Sequence, residues 1–278
     1  RCISGHTKTL YRLVLMIKLV ITDMDGTLLS DTKEIHPSFW EVHQQLVERG
    51  IIFAVASGRQ VYNLEEEFAN IKDDTLFIAE NGTIVRYKGR DVYINELDKQ
   101  LLSKVVAKSR EVEGIEMVVC GRRSAYVEND DPKLLKEVRK YYHRLEIIED
   151  LTLVEDEIVK IAIYDSIGSE INSAKAFAEF SNNYKVTVSG PEWLDISNMG
   201  ASKGDAIRRA QEKLGITKEE TMAFGDYLND YEMLQESGLS YAMKNSHPDL
   251  LKVARFVTEY DNNNNGVVET IRKVLLST

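Results

Sequence analysis

A parallel-sheet α/β core interrupted by an α+β insert is the architecture the sequence predicts, on three observations. Apolar runs such as "IKLVITD" and "IIFAVASGR" alternate with helical patterns at both ends of the chain, as expected of strands covered on both faces. Polar residues gather where those runs end, at Asp23 and Asp25, Ser57 and Arg59, Asn81, and Asp226, and that edge of an open α/β sheet is where ligands bind. Between about Arg86 and Val188 the strands alternate in polarity instead, the pattern of a sheet with one helix-covered face.

Taken in order, Met16 opens the strand pattern, and residues 1–15 are read as a non-native or disordered extension. "IKLVITD" is a strand, and "PSFWEVHQQLVERG" is a helix with Pro37 in its first turn and Gly50 at its stop. "IIFAVASGR", "VYNLEEEFAN" and "TLFIAENG" continue as strand, helix and strand. "TIVRYKGRDVYIN" reads as a hairpin turning at Lys88-Gly89. Helices are expected in "DKQLLSKVVAKSREVEG", "DPKLLKEVRKYYHRL" and "SEINSAKAFAEFSNNY", and strands in "IEMVVCG", "SAYVEN", "EIVKIAIYD" and "KVTVSGPEWLDIS". The last stretch returns to the first style. "SKGDAIRRAQEKLG" is a helix capped by Ser202 and stopped at Gly215. Then come strand "TMAFGD", helix "NDYEMLQESG" and short strands "LSYAMKN" and "ARFVTE"; Asn262–Asn265 before Gly266 reads as a turn. The predicted division is a core of residues 16–85 and 189–278 around an insert of residues 86–188.

A formal charge of −10 argues against a nucleic-acid partner, which calls for a basic face. It also requires local positive charge wherever an anionic substrate is held. The two cysteines, Cys2 and Cys120, are too few for a disulfide framework and point to a reducing cytoplasm. Leu10–Ile21, the most apolar stretch, contains Arg12 and Lys18 and is too short to span a bilayer. It has no small-residue cleavage site, so neither a signal peptide nor membrane attachment is expected.

Asp23 and Asp25 leave the end of an apolar strand together and are followed by Gly26. Two carboxylates about 4 Å apart repel by about 4 kcal/mol at intermediate dielectric, a cost that a shared proton or a cation removes. A hard divalent cation with oxygen ligands, such as Mg²⁺, answers it, and Gly26 lets the backbone turn close to a bound group. Lys203 in "ASKGDAI" stands in the first turn of a helix, where the dipole already supplies positive charge. A cation there implies an anion between it and the helix N–H groups. Asp226 and Asp230 in "FGDYLND" follow another apolar strand, and Ser57 in "ASGR" ends a third.

These motifs resemble those of the haloacid dehalogenase (HAD) superfamily of phosphotransferases. "DMDGT", "ASGR", "SKG" and "GDYLND" are similar to its four motifs and occur in its order, over about Met16–Thr83 and Ser189–Thr278. The insert is similar in position and size to the α/β cap domain of the Cof-type subfamily, a placement reinforced by "AENG", "AFGDYLND" and "NNNNGV". The resemblance implies a Rossmann-like (HAD-like) core and a Mg²⁺-dependent phosphatase acting on a small phosphorylated metabolite, a sugar phosphate or phosphorylated cofactor. In it Asp23 is the nucleophile that forms an aspartyl-phosphate, and Asp25 is the proton carrier. Ser57, Lys203 and Gly26 hold the phosphoryl group. The metal is held by Asp23, the backbone carbonyl of Asp25 and Asp226, supported by Asn229 and Asp230. Gly58, Arg59, Asn81 and Gly82 are candidate substrate residues.

A sugar phosphomutase and a non-enzymatic phospho-acceptor module remain alternatives; the second acid and the large insert weigh against the latter. His6, His36, His43, His143 and His247 lack metal-ligand spacing and read as structural or surface residues. Trp193 reads as a core or hinge residue, and Arg122 and Arg123 as a solvated loop. The expected assembly is a monomer or weak homo-oligomer. Deleting residues 1–15 is expected to leave phosphate release unchanged; a large loss would show that the segment belongs to the working enzyme.

Overall fold

A computed structural model describes residues 16–277; the expectations for residues 1–15, Cys2 and His6 lie outside the described residues. The chain divides into two compact units, one of residues through Gly58, Phe68–Tyr93 and from Ser202 on, the other of Arg59–Glu67 and Ile94–Ala201.

The first unit is built on β1 (Leu19–Asp23), β2 (Ile52–Ala56), β3 (Thr75–Ala79), β4 (Ile84–Tyr87), β5 (Arg90–Ile94), β12 (Thr221–Gly225), β13 (Leu239–Ala242) and β14 (Phe256–Val257). They form one sheet in the order β14-β13-β12-β1-β2-β3-β4-β5. From β14 to β3 all pairs are parallel, and β4 joins β3 antiparallel. β1 lies in the middle and every residue of it is buried, which explains why "LVITD" shows no alternation. Helix α1 (Ser38–Glu48) buries Phe39, Val42, His43 and Leu46, the i, i+3, i+4, i+7 stripe of a helix packed on one side. Phe39 meets Phe53 at 5.1 Å between ring centroids and His43 meets Phe53 at 5.6 Å. Burial there holds the His43 imidazole below its ordinary pKa, in keeping with a structural histidine. The opposite face receives helix α6 (Lys203–Leu214), whose Ala206, Ile207 and Ala210 pack against Leu19, Ile21 and Ala54. The hairpin turn places Lys88 and Gly89 at φ of 51° and 69°, the two left-handed residues of a type I′ turn.

The second unit carries β6 (Ile115–Gly121), β7 (Ala125–Val127), β8 (Leu145–Ile147), β9 (Ile158–Asp165), β10 (Tyr184–Gly190) and β11 (Trp193–Asn198) in the order β10-β11-β9-β6-β7-β8. Helix α3 (Lys99–Ser109), capped by Asp98, lays Leu101, Leu102, Val105 and Val106 against Met117, Ile161, Ile163 and Ile196. The boundaries read from sequence, Arg86 and Val188, fall within β4 and β10, whose strands pair with their own sheets. Helix α2 (Val61–Glu67) groups with the second unit.

Two helices of the second unit cover less than half of the stretch their sequences suggest. Helix α4 (Pro132–Val138) begins on an Asp131 cap and stops well before Leu145. The chain beyond it is held by side-chain amides of another segment: Asn63 Nδ2 donates to the Tyr141 carbonyl, and Gln60 exchanges two hydrogen bonds with the backbone of Arg144. That tertiary pairing overrides local propensity and leads into β8, a strand the helical reading missed. "SEINSAKAFAEFSNNY" gives only the short helix α5 (Ser173–Ala176) and a 3₁₀ turn over Ala178–Asn182. The Asp165 carboxylate takes the N–H groups of Ile167, Gly168 and Ser173 just before it. Among the described residues no helix is long and apolar enough to cross a membrane.

Gly215 closes α6 at φ 66°, and a Cβ there would meet nothing within 4 Å. Gly215→Ala therefore isolates backbone strain: it is expected to cost about 1–2 kcal/mol, read as a lower urea midpoint at unchanged m.

Candidate active site

The C-terminal ends of β1 and β12 and the first turn of α6 bring four charged side chains together. Asp23, the last residue of β1, is 7% exposed, and Lys203, the first of α6, is 1% exposed. Lys203 Nζ donates to Asp23 Oδ1 at 2.5 Å and to Asp230 Oδ1 at 2.7 Å. Asp230 is wholly buried; its Oδ2 accepts the backbone N–H of Asp226 at 3.0 Å and of Tyr227 at 3.3 Å. Asp226, one residue past β12, accepts from Thr27 Oγ1 at 2.9 Å. The Ser202 hydroxyl takes the Asp205 N–H at 3.1 Å, so α6 starts where Lys203 can reach β1.

Burial drives the Asp23 carboxyl well above its ordinary pKa, Asp230 adds to the rise, and Lys203 offsets part of it. Burial also raises Asp226, with Asp230 contributing. Lys203 loses hydration by burial, yet Asp23 and Asp230 outweigh that and hold its pKa raised. Three acids against one buried ammonium leave a surplus of negative charge. Single carboxylate oxygens of Asp23, Asp226 and Asp230 lie within 4.8 Å of one another and could hold a metal ion. An all-oxygen donor set fits a hard divalent cation. Because both Asp230 oxygens are already engaged, Asp23 and Asp226 are the better placed donors.

Gly26 has φ 79°, and a Cβ on it would lie 2.4 Å from Asp226 Oδ2; the turn after β1 comes this close only because it carries no side chain. Asp25 is exposed on that turn and pairs with Lys33 Nζ at 2.8 Å. Ser57 is buried directly after Ala56, the β2 partner of Asp23. The Asn81 N–H donates to the Ser57 carbonyl at 3.0 Å, and Gly58 packs beside the Asn81 amide. Glu80, Asn81 and Gly82 all have positive φ, at 49°, 55° and 101°. The turn they make sets Gly82 so near the Ser202 carbonyl that a Cβ would come within 2.1 Å of it. Asn229 Nδ2 donates to Asn81 Oδ1 at 3.4 Å. Arg59 pairs with Glu67 at 3.2 Å.

The structure thus gathers Asp23, Lys203, Asp226 and Asp230 directly, with Gly26 against Asp226, while Asn81 joins Ser57 and Gly58 to Asn229. Within the second unit, Arg122 and Arg123 pair with Glu157 and Asp156, and Trp193 packs edge-on to Tyr141. Sequence reasoning missed Thr27 and Lys33. Thr27 stood inside "DMDGT" and could have been singled out there; Lys33 lies outside the four motifs.

Comparison with known proteins bears on this geometry. The family model of haloacid dehalogenase-like hydrolases matches residues 20–271. A 5-amino-6-(5-phospho-D-ribitylamino)uracil phosphatase of Escherichia coli is 36% identical over 262 residues, spanning 93% of this chain and 96% of that protein. A Bacillus subtilis protein of the same description is 28% identical, spanning 94% of this chain and 96% of its own length. The crystal structure of a haloacid dehalogenase-like hydrolase from Bacteroides thetaiotaomicron superposes with a TM-score of 0.82 at 24% identity, over 93% of this chain and 99% of that one.

Asp23 binds its proton more tightly folded than unfolded, because its carboxyl is raised. In metal-free protein its stabilising contribution is full below the unfolded pKa and is lost as pH rises through the folded one. Asp23→Asn, which imitates the neutral form, is expected to have a higher Tm than wild type at pH 7 in EDTA, with the gap closing toward pH 4. An equal gap at both pH values would contradict this reading.

Proposed function

The chain belongs to the haloacid dehalogenase-like hydrolases and is a phosphatase, and from that premise we propose that it hydrolyses a small phosphorylated metabolite through an aspartyl-phosphate on Asp23 with Mg²⁺ as cofactor. The observation that carries the reading is the buried Lys203 ammonium bonded to Asp23 and Asp230, with Asp226 completing an acidic cluster.

In this reading an Asp23 carboxylate oxygen attacks phosphorus, and the bond from phosphorus to the leaving oxygen breaks. Asp25, on the exposed turn, gives that oxygen a proton. It then takes a proton from the water that attacks the aspartyl-phosphate, releasing inorganic phosphate and restoring Asp23. Lys203, held at a fixed point by two carboxylates, meets the phosphoryl oxygens together with Ser57 and Gly26. Asp23, Asp226 and the Asp25 carbonyl would hold Mg²⁺, with Asp230 and Asn229 in support. When bound, the cation neutralises the acids and lets an anionic phosphate approach.

The second unit is read as the cap that selects the leaving group. Two relatives in different bacteria carry names for a phosphorylated ribitylaminouracil, which makes a phosphorylated open-chain sugar joined to a heterocycle the first substrate to test. A cytoplasmic setting suits a metabolite of that kind.

Phosphate release should be measured on that compound, on hexose phosphates and on phosphorylated cofactors, with Mg²⁺ and then with EDTA. Repeated turnover that EDTA abolishes is expected. Asp23→Asn should lower kcat about a thousandfold or more, and Asp226→Ala should weaken activation by Mg²⁺. Substantial turnover by Asp23→Asn would remove Asp23 as nucleophile, and release of a single equivalent would favour a mutase or phospho-acceptor.

A further inference from the structure

The asparagine run at Asn262–Asn265 does more than close a loop. Asn245 Nδ2 donates to the Gly26 carbonyl at 2.8 Å across 219 residues of sequence. Asn245 Oδ1 accepts the backbone N–H of Asn262 at 3.1 Å. Asn262 Nδ2 in turn donates to the Leu29 carbonyl and to Asp31 Oδ1, both at 3.0 Å. Asn263 exchanges two hydrogen bonds of 2.9 Å with Asp31, and Asn265 Nδ2 donates to Ser38 Oγ at 2.9 Å. The segment after Asp25 is therefore held at Gly26, Leu29, Asp31 and Ser38, the first residue of α1, by amide side chains from the far end of the chain.

We propose that Asn245 and Asn262 are positioning residues for phosphate hydrolysis, fixing the Gly26 and Leu29 carbonyls and with them the turn that follows Asp23 and carries Asp25. This rests on the phosphatase reading above. Gly26 cannot be anchored by a side chain of its own, because a Cβ would strike Asp226. Gly26 is partly buried, and the donor its carbonyl receives comes from Asn245, far along the chain. Lysine or arginine could donate, but a further cation beside Asp23 and Asp226 would compete with Lys203 and with any bound metal. A neutral amide donates and accepts at once, so it passes the constraint from the 262–265 turn to Gly26 without adding charge.

The test compares Asn245→Ala, Asn262→Ala, the double variant and Asn264→Ala. The Asn264 amide bonds Asp261 within the same turn and serves as the control. For each, kcat, KM and Tm are measured, together with amide hydrogen exchange of Thr27, Leu28 and Leu29, whose N–H groups bond back to Met24 and Asp23. Both single variants should lose about tenfold in kcat with KM held within about twofold. The double variant should be little worse than the poorer single one, because the two act in series. Exchange at the three amides should speed up, and Asn264→Ala should match wild type. The proposal is overturned if both single variants keep kcat and exchange near wild type, if the losses multiply, or if Asn264→Ala falls equally. If wild type releases no phosphate, the phosphatase reading fails by itself, while the exchange data still decide whether the amides hold the turn.

Discussion

A lysine ammonium almost wholly removed from water has to be answered by charge from within the protein, and at this sheet edge the answer is two carboxylates at 2.5 and 2.7 Å. The geometry around them follows from that demand. Helix α6 must start where its first residue can reach β1, and Asp230 must be buried with its second oxygen satisfied by backbone N–H groups. Gly225 has to be a glycine, since a Cβ there would lie 2.6 Å from the Cβ of Asp230. A buried ion pair of this kind is weak evidence of stability, because desolvation offsets much of the attraction. Losing the Lys203 ammonium would nevertheless strand the buried acids around it at a cost of about 3–5 kcal/mol.

Asp23 and Asp25 are two positions apart in sequence and would share a face if the strand continued. It does not continue: the chain turns at Gly26, leaving Asp23 in the dry end of the sheet and Asp25 in solvent beside Lys33. In the reading proposed above, this difference in environment is what would let two identical carboxyl groups take different chemical parts. The dry one lies against a fixed cation, where a nucleophile can be oriented. The wet one lies where protons come and go.

Much of the core could be read from sequence because each level of pattern agreed. Buried parallel strands read as unbroken apolar runs, Ser202 and Gly215 mark the ends of α6, and Lys88-Gly89 marks the I′ hairpin. Asp23, Lys203, Asp226 and Asp230 stood out because charge at the end of an apolar strand, or at a helix N-terminus, needs a reason. What could not be read depends on contacts distant in sequence. Nothing local to "VRKYYHRLEII" reveals that Asn63 and Gln60 take over its backbone just ahead of the strand Leu145–Ile147. Nothing local to Asn245 or Asn262 reveals that their amides close on Gly26 and Leu29. Lys33 gave no signal in the sequence, because its pairing with Asp25 exists only once the turn folds back.

The position of β1 in the middle of the sheet also has a temporal side. Its neighbour β2 begins at Ile52, but its other neighbour, β12, begins at Thr221. As the chain leaves the ribosome, β1 can gain one partner early and must wait for well over a hundred further residues before the other exists. Through that interval one edge of this central strand lacks its ladder, and Asp23 lacks the lysine that balances it. The long-range closure is entropically slow. The carboxylates that serve the finished protein then act as charged gatekeepers on an unfinished one, discouraging stray pairing at the exposed edge until Lys203 arrives.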